Sequence, residues 1–218
     1  MSTLTASQAR RVYDRIGAGQ DLQAFYEDRA TAEILRNADF ESAESVFELG
    51  SGTGRFAQKL LTDHLPASAS YRGVDLSPKM VALAEQRLGV FGPRAQVLLS
   101  DGGPPTGESD ASCDRFVSNF VFDLLSDEMI ASVIEQAHRL LRPQGLLCVA
   151  SLTSGSTPVT RAVAGLWSHV HRAKPALVGG CRPIDLLAFI DGARWRIVHH
   201  RRLAPLGLPC EAIVASRI

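Results

Sequence analysis

The chain has 218 residues, with 23 Lys plus Arg balanced by 23 Asp plus Glu. That length suits one well-buried core and is short for two domains. A zero formal charge provides no global field to hold DNA, RNA or an anionic membrane, and the reading is one domain over 1–218 acting on neither nucleic acid nor membrane.

The N-terminus lacks the apolar stretch of a secretory signal, and no window approaches the ~18 apolar residues of a membrane helix. The four cysteines, Cys113, Cys148, Cys181 and Cys210, are far apart with no C-x-x-C pair. They read as small hydrophobes in a reducing compartment, so the expected location is the cytoplasm and no metal site is expected.

Two helices are expected first, Ser7 to Ile16 and Leu22 to Ala38, separated by Gly17-Ala18-Gly19. Next, Val46, Phe47 and Leu49 form a short apolar strand, and Phe56, Ala57, Leu60 and Leu61 recur at helical spacing. Between them lies Glu48-Leu49-Gly50-Ser51-Gly52-Thr53-Gly54. Glycine there allows positive φ and a close approach to a ligand, which the following helix N-terminus faces with unpaired N–H groups. A dinucleotide fingerprint would place its third glycine where Arg55 stands. Glu48 would also repel a pyrophosphate and attract a ligand carrying an ammonium and a sulfonium.

Tyr71-Arg72-Gly73-Val74-Asp75 reads as a second strand ending in a carboxylate 21 positions after Gly54, close to the spacing at which an acid holds a ribose diol. Ser77-Pro78 caps a helix whose apolar face is Met80, Val81, Leu83, Ala84 and Leu88. Val97 to Leu99 makes a third strand leading to Asp101 and Gly102, and Gly102 to Gly107 a loop. Cys113 to Asn119 is the fourth strand, and Ser126 caps a helix with Asp127 and Glu128 in its first turn. A turn at Arg142-Pro143-Gln144-Gly145 leads to the strand Leu146 to Leu152.

From the glycine motif through the fifth strand, Val46 to Leu152, the chain resembles the class I S-adenosylmethionine-dependent methyltransferases. The resemblance implies a Rossmann-like, doubly wound α/β domain with a seven-stranded, mostly parallel sheet and an antiparallel last strand, under an N-terminal helical cap. S-adenosylmethionine is the implied cofactor and S-adenosylhomocysteine the product. Glu48, Gly50, Ser51, Gly52 and Gly54 form the implied first motif, with Asp75 on the ribose, Leu76 or Met80 against the adenine, and Asp101 with Gly102 near the adenine amino group. Ser118, Asn119 and Phe120 should face the cofactor, because ligands bind where the sheet order reverses. Asp123 is expected to be structural.

Residues 1–40 are expected to close over the cofactor as a lid, making Tyr13, Tyr26 and Arg29 candidates to touch cofactor or substrate; the tyrosines can equally pack against the sheet edge with a wet hydroxyl. Residues 153–193 are the expected substrate-side insertion, with one helix from Thr157-Pro158 and another from Pro183 through Ile190. His169 and His171 there are weak candidates for a general base; two apart, they cannot share a helix face or pair on a metal. Ser118-Asn119-Phe120 lacks the Pro-Pro-aromatic signature of base- and glutamine-amino methylation, so base flipping is not indicated. His199-His200-Arg201-Arg202 reads as the solvated turn of a C-terminal hairpin.

The expectation is an enzyme, a monomer or homodimer, that methylates a small-molecule acceptor. The alternatives are a non-catalytic S-adenosylmethionine-binding or regulatory protein of this fold, methylation of a protein side chain, and a dinucleotide-dependent oxidoreductase, which the glycine spacing disfavours.

Overall fold

In the computed structural model, which describes residues 3–218, strands β1 (Ser45–Leu49), β2 (Ser70–Asp75), β3 (Ala95–Leu99), β4 (Cys113–Asn119), β5 (Leu141–Leu152), β6 (Trp195–Leu203) and β7 (Cys210–Arg217) form one sheet. Met1 and Ser2 of the expected lid lie outside the described residues. The strand order is β3-β2-β1-β4-β5-β7-β6. Pairings from β3 to β5 are parallel, and β7 runs antiparallel to both β5 and β6. The single reversed strand is therefore the last in sequence, as expected.

Helices α1 (Ala6–Ile16), α2 (Ala24–Asn37), α3 (Arg55–Asp63), α4 (Pro78–Leu88), α5 (Asp127–Leu140) and α6 (Pro158–Ala173) complete the architecture. Several of their starts are chemically marked. Ser77 and Ser126 accept backbone N–H bonds from Met80 and Met129, and Thr157 forms a capping box with Thr160.

The central strands are apolar on both faces, as parallel strands covered by helices must be. Val46, Tyr71 and Val117 point into one core with Ile34, Leu60 and Leu88. Phe47, Phe116 and Leu147 point into the other with Ile130, Ile134 and Leu140. All four cysteines are buried and free.

Three expectations change. The Pro143–Gly145 turn is absorbed as an irregularity inside β5: Cys113 pairs with Leu141 and Arg115 with Leu146, while Gln144 takes φ +63°. The helix expected from Pro183 shrinks to a 3-10 turn at Leu186–Phe189. Its backbone is spent elsewhere, since Ile184 N–H donates to Leu152 O at 3.1 Å and Leu186 N–H to Glu211 Oε1 at 3.4 Å. Finally, His199–Arg202 lie on β6, not in the hairpin turn, which falls at Pro205–Gly207. Two buried carboxylates explain this placement. Glu33 of α2 meets His199 at 3.1 Å and Arg201 at 3.2 Å, and Glu211 of β7 meets His200 at 2.9 Å.

Among the described residues no helix is long and apolar enough to cross a membrane, and no cluster of three His, Cys, Asp or Glu could hold a metal.

Candidate functional site

The chain leaves β1 toward β2 and β3 on one side, and its later course places β4 and β5 on the other. The reversal therefore lies between β1 and β4, and the loops beyond those strand ends part there. Two cavities of about 350 and 490 Å³ open at this point and share Gln20, Gly50, Gly52 and Asn119 on their walls.

Gly52 is the fulcrum of the turn. Its φ of +53° suits glycine, and a Cβ built on it would meet nothing within 4 Å, so its Cα side opens onto ligand space. Gly50 and Gly54 serve packing. A Cβ at Gly50 would come within 2.2 Å of Val121 Cγ2, and one at Gly54 within 3.1 Å of Ala84 on α4. Gly54 lines neither cavity, whereas Ser51 lines the larger one with a buried Oγ that has no partner.

Two carboxylates stand on either side of the turn. Asp75 Oδ2 accepts the Gly52 N–H at 2.9 Å and Oδ1 the Ser77 N–H at 2.9 Å. Each oxygen retains a further lone pair for a hydroxyl of a bound diol. Burial raises its pKa against the pull of those N–H groups. Glu48, 2% exposed, accepts the Tyr71 hydroxyl at 2.5 Å on Oε2 and Asn119 Nδ2 at 3.5 Å on Oε1. Burial pushes its pKa up to about 7, with those two donors acting in the opposite direction. No cation of the described residues pairs with it.

The smaller cavity is a largely apolar slot. Leu76 and Met80 form part of one wall, Ala6, Ala9 and Tyr13 of α1 another, and Phe120, Val121 and Leu124 a third. Phe120 reaches the wall because it turns left-handed at φ +56°, its N–H anchored on Ala150 O at 2.7 Å. That conformation costs a non-glycine residue on the order of 1–3 kcal/mol, and the bond to Ala150 helps to hold it. Gly102 closes the slot toward the lid, where a Cβ would lie 3.0 Å from Leu76 Cδ1 and 3.1 Å from Ala6 Cβ. Burial raises the pKa of Tyr13, leaving a neutral phenol on the wall.

Several expected residues stand elsewhere. Asp101 is exposed and caps its own loop through Gly103 N–H at 2.8 Å; Ser100 and Gly102 take its place on the wall. Ser118 is fully buried behind the wall, donating to Leu49 O at 3.1 Å. Tyr26 lines neither cavity; its ring meets Phe120 edge-on at 5.4 Å and its hydroxyl donates to Gln23 Oε1 at 2.8 Å. Arg29 is exposed. His169 is exposed, and His171, 1% exposed, is bonded to Gly180 O at 3.1 Å, so neither lines a cavity. Asp123 is fully buried and accepts Leu152 N–H at 3.3 Å, tying the ends of β4 and β5.

Other participants had no sequence signal. Tyr71 reaches Glu48 because the register sets Glu48 beside Gly73, where a Cβ would crowd the Tyr71 hydroxyl at 2.7 Å. The lid is fastened by Asp14 accepting from Ser77 Oγ at 2.6 Å, and by Asp21 accepting from Thr53 Oγ1 at 2.5 Å and Arg87 Nη2 at 2.7 Å.

The donor and acceptor set is specific. Glu48, Asn119 Oδ1, Gln20 Oε1 and Ser51 Oγ offer acceptors around the glycine turn, three of them buried with no partner. They fit the ammonium of an amino acid end. Asp75 fits a diol, and the slot of Leu76, Met80 and Gly102 a flat apolar ring. A nucleoside carrying a sulfonium amino acid has these three parts.

Residues 46–145 match the family model described as "Methyltransferase domain". The chain is 26% identical over 184 residues to a malonyl-[acyl-carrier protein] O-methyltransferase of Marinomonas sp. (strain MWYL1), covering 82% of this chain and 66% of that relative. It spans 60% of a second curated relative, so it falls short of two thirds of the length of both. Among solved structures it is similar to the [4+2]-cyclase SpnF, with TM-score 0.75, 14% identity and coverage of 100% of this chain and 97% of that one. It is also similar to the N-methyltransferase NodS of Bradyrhizobium japonicum WM9 in complex with S-adenosylhomocysteine, with TM-score 0.70, 17% identity and coverage of 96% and 98%.

Proposed function

We propose, from the premise that this chain belongs to the class I S-adenosylmethionine-dependent methyltransferases, that it transfers the cofactor's methyl group to a nucleophilic atom of a small, uncharged acceptor. One observation carries the choice of acceptor. Among the described residues lining the slot beside the glycine turn, Asp75 is the one charged side chain, and no Lys, Arg or His is present. An anionic acceptor entering beside the nucleoside, between α1 and Phe120–Leu124, would lose its water without gaining a partner, at a cost of several kcal/mol. That favours a neutral acceptor over a free carboxylate such as the malonyl group in the name of the Marinomonas relative.

Glu48, Asn119 and Ser51 would hold the cofactor's amino acid end, Asp75 its ribose, and Leu76, Met80 and Gly102 its adenine. Bound S-adenosylmethionine supplies a methyl carbon already activated by its sulfonium. The protein's share is alignment and exclusion of water. Phe120, Val121 and Leu124 fix one side of the acceptor by contact, and Ala6, Ala9 and Tyr13 of α1 close the other. This reading gives no catalytic part to His169 or His171, which line neither cavity.

The rival reading is a protein of this fold that binds the cofactor without methyl transfer, in line with a cyclase of similar fold. Incubation with methyl-labelled S-adenosylmethionine and fractionated metabolite extract separates the readings. Label in a neutral, organic-extractable product together with S-adenosylhomocysteine is expected. Label in precipitated protein would overturn the small-molecule assignment, and none in any fraction would favour the non-catalytic reading.

A further inference from the structure

The lid contributes a polar atom that no motif explains. Gln20 lies in the 3-10 turn Gly17–Gln23 between α1 and α2. Its Nε2 donates to Gln23 Oε1 at 2.9 Å and to Glu27 Oε1 at 3.2 Å. Both acceptors are themselves held, Gln23 by the Tyr26 hydroxyl at 2.8 Å and Glu27 by Arg55 at 3.4 Å. With both N–H donors engaged, the amide is oriented and its oxygen has one direction left. That oxygen is buried, has no partner among the described residues, and belongs to a residue lining both cavities.

Asn119 presents the same arrangement from the opposite wall. Its Nδ2 is turned to Glu48 Oε1 at 3.5 Å, and its Oδ1 is buried without a partner. Two oriented carbonyls and a carboxylate thus belong to residues bordering one stretch of ligand space beside Gly50 and Gly52. Buried acceptors without donors are costly and rare, and they mark sites where a ligand supplies the donor. An ammonium, with three N–H donors and a positive charge, satisfies all three.

We propose that Gln20 is the lid's reader of the cofactor's amino acid end: its Oε1 shares the ammonium with Asn119 Oδ1 and the Glu48 carboxylate, so that a cofactor carrying that group tightens the lid. This rests on the cofactor reading above and extends it to a residue outside the glycine motif. Helix α1 gains from such a contact, because none of its residues joins either core cluster. The turn bearing Gln20 also holds Asp21, bonded to Thr53 and Arg87, so that fixing Gln20 reinforces an existing fastening. Tyr26 acts here through Gln23 as a positioning residue.

The test compares two ligands on the full chain: S-adenosylhomocysteine, and 5′-methylthioadenosine, a thioether of the same nucleoside without the amino acid end. Gln20→Leu should weaken S-adenosylhomocysteine about tenfold or more, as for a lost hydrogen bond to a charged group, and leave methylthioadenosine within about twofold. Hydrogen exchange over residues 5–23 should slow when S-adenosylhomocysteine binds the wild-type chain, and should not respond to it in Gln20→Leu or to methylthioadenosine in either protein. Equal losses for both ligands would reduce Gln20 to a packing residue, and no loss for either would remove it from the site; both overturn the proposal. A wild-type chain that binds neither ligand would overturn the underlying cofactor reading instead.

Discussion

Replacing Glu48 by Gln should stabilise the ligand-free protein while crippling its site, and the two effects have the same origin. The Glu48 pKa is pushed from an ordinary 4.5 up to about 7 by burial. A carboxyl whose folded pKa exceeds its unfolded value contributes most stability below about pH 4.5, and that contribution is lost as pH rises through 7. The interval of roughly 2.5 pKa units corresponds to about 3 kcal/mol at pH 8, at ~1.4 kcal/mol per unit. Glu48→Gln removes the ionisation and should raise Tm at pH 8 by about 2–4 °C per kcal/mol recovered. Near pH 4.5 the two proteins should unfold together. Binding carries the complementary signature. A ligand ammonium favours the charged carboxylate, so affinity for S-adenosylhomocysteine should fall about tenfold or somewhat more from pH 7 to 5.5, where the ligand's own amine stays protonated. Calorimetry at pH 6 in buffers of different ionisation enthalpy should register nearly one proton released per ligand, and none for Glu48→Gln. A flat affinity over that range, or a Glu48→Gln variant less stable than wild type at pH 8, would refute the reasoning.

Four further substitutions test the roles assigned to individual residues. Asp75→Ala should weaken S-adenosylhomocysteine by about 1.5–3 kcal/mol in a folded protein, read by calorimetry, since it removes a charged acceptor for two hydroxyls. Gly52→Val should abolish binding with native circular dichroism, because a branched side chain fills ligand space at φ +53°. His171→Ala should lower stability by about 1–3 kcal/mol in denaturant unfolding, by leaving Gly180 O unpaired, while His169→Ala should change neither stability nor cofactor affinity by more than about 0.5 kcal/mol.

What the sequence made legible was local. Glu48 through Gly54, Asp75 and the Ser77-Pro78 cap are contiguous signals, and each stands where its neighbours in the chain put it. What stayed hidden depends on register and long-range packing. Nothing near Tyr71 announces Glu48 as its partner, because that pairing exists once β1 and β2 align Glu48 with Gly73. Gln20 has no helix or strand period to mark it, and its orientation comes from Gln23 and Glu27. Asp101 follows the third strand by two residues, yet the Gly102-Gly103 turn directs it to its own backbone. The charges of His199 to Arg202 suggested solvent, but the counter-charges Glu33 and Glu211 come from distant elements and hold them in the edge strand.

Titration with S-adenosylhomocysteine against NAD, in one calorimetric series on the wild-type chain near pH 7, tests the central claim that the β1–β4 crevice is built for a sulfonium nucleoside. Saturable one-to-one binding of S-adenosylhomocysteine, lost in Gly52→Val, and no heat with NAD is the predicted result. Binding of NAD, or S-adenosylhomocysteine binding that Gly52→Val leaves intact, would contradict it.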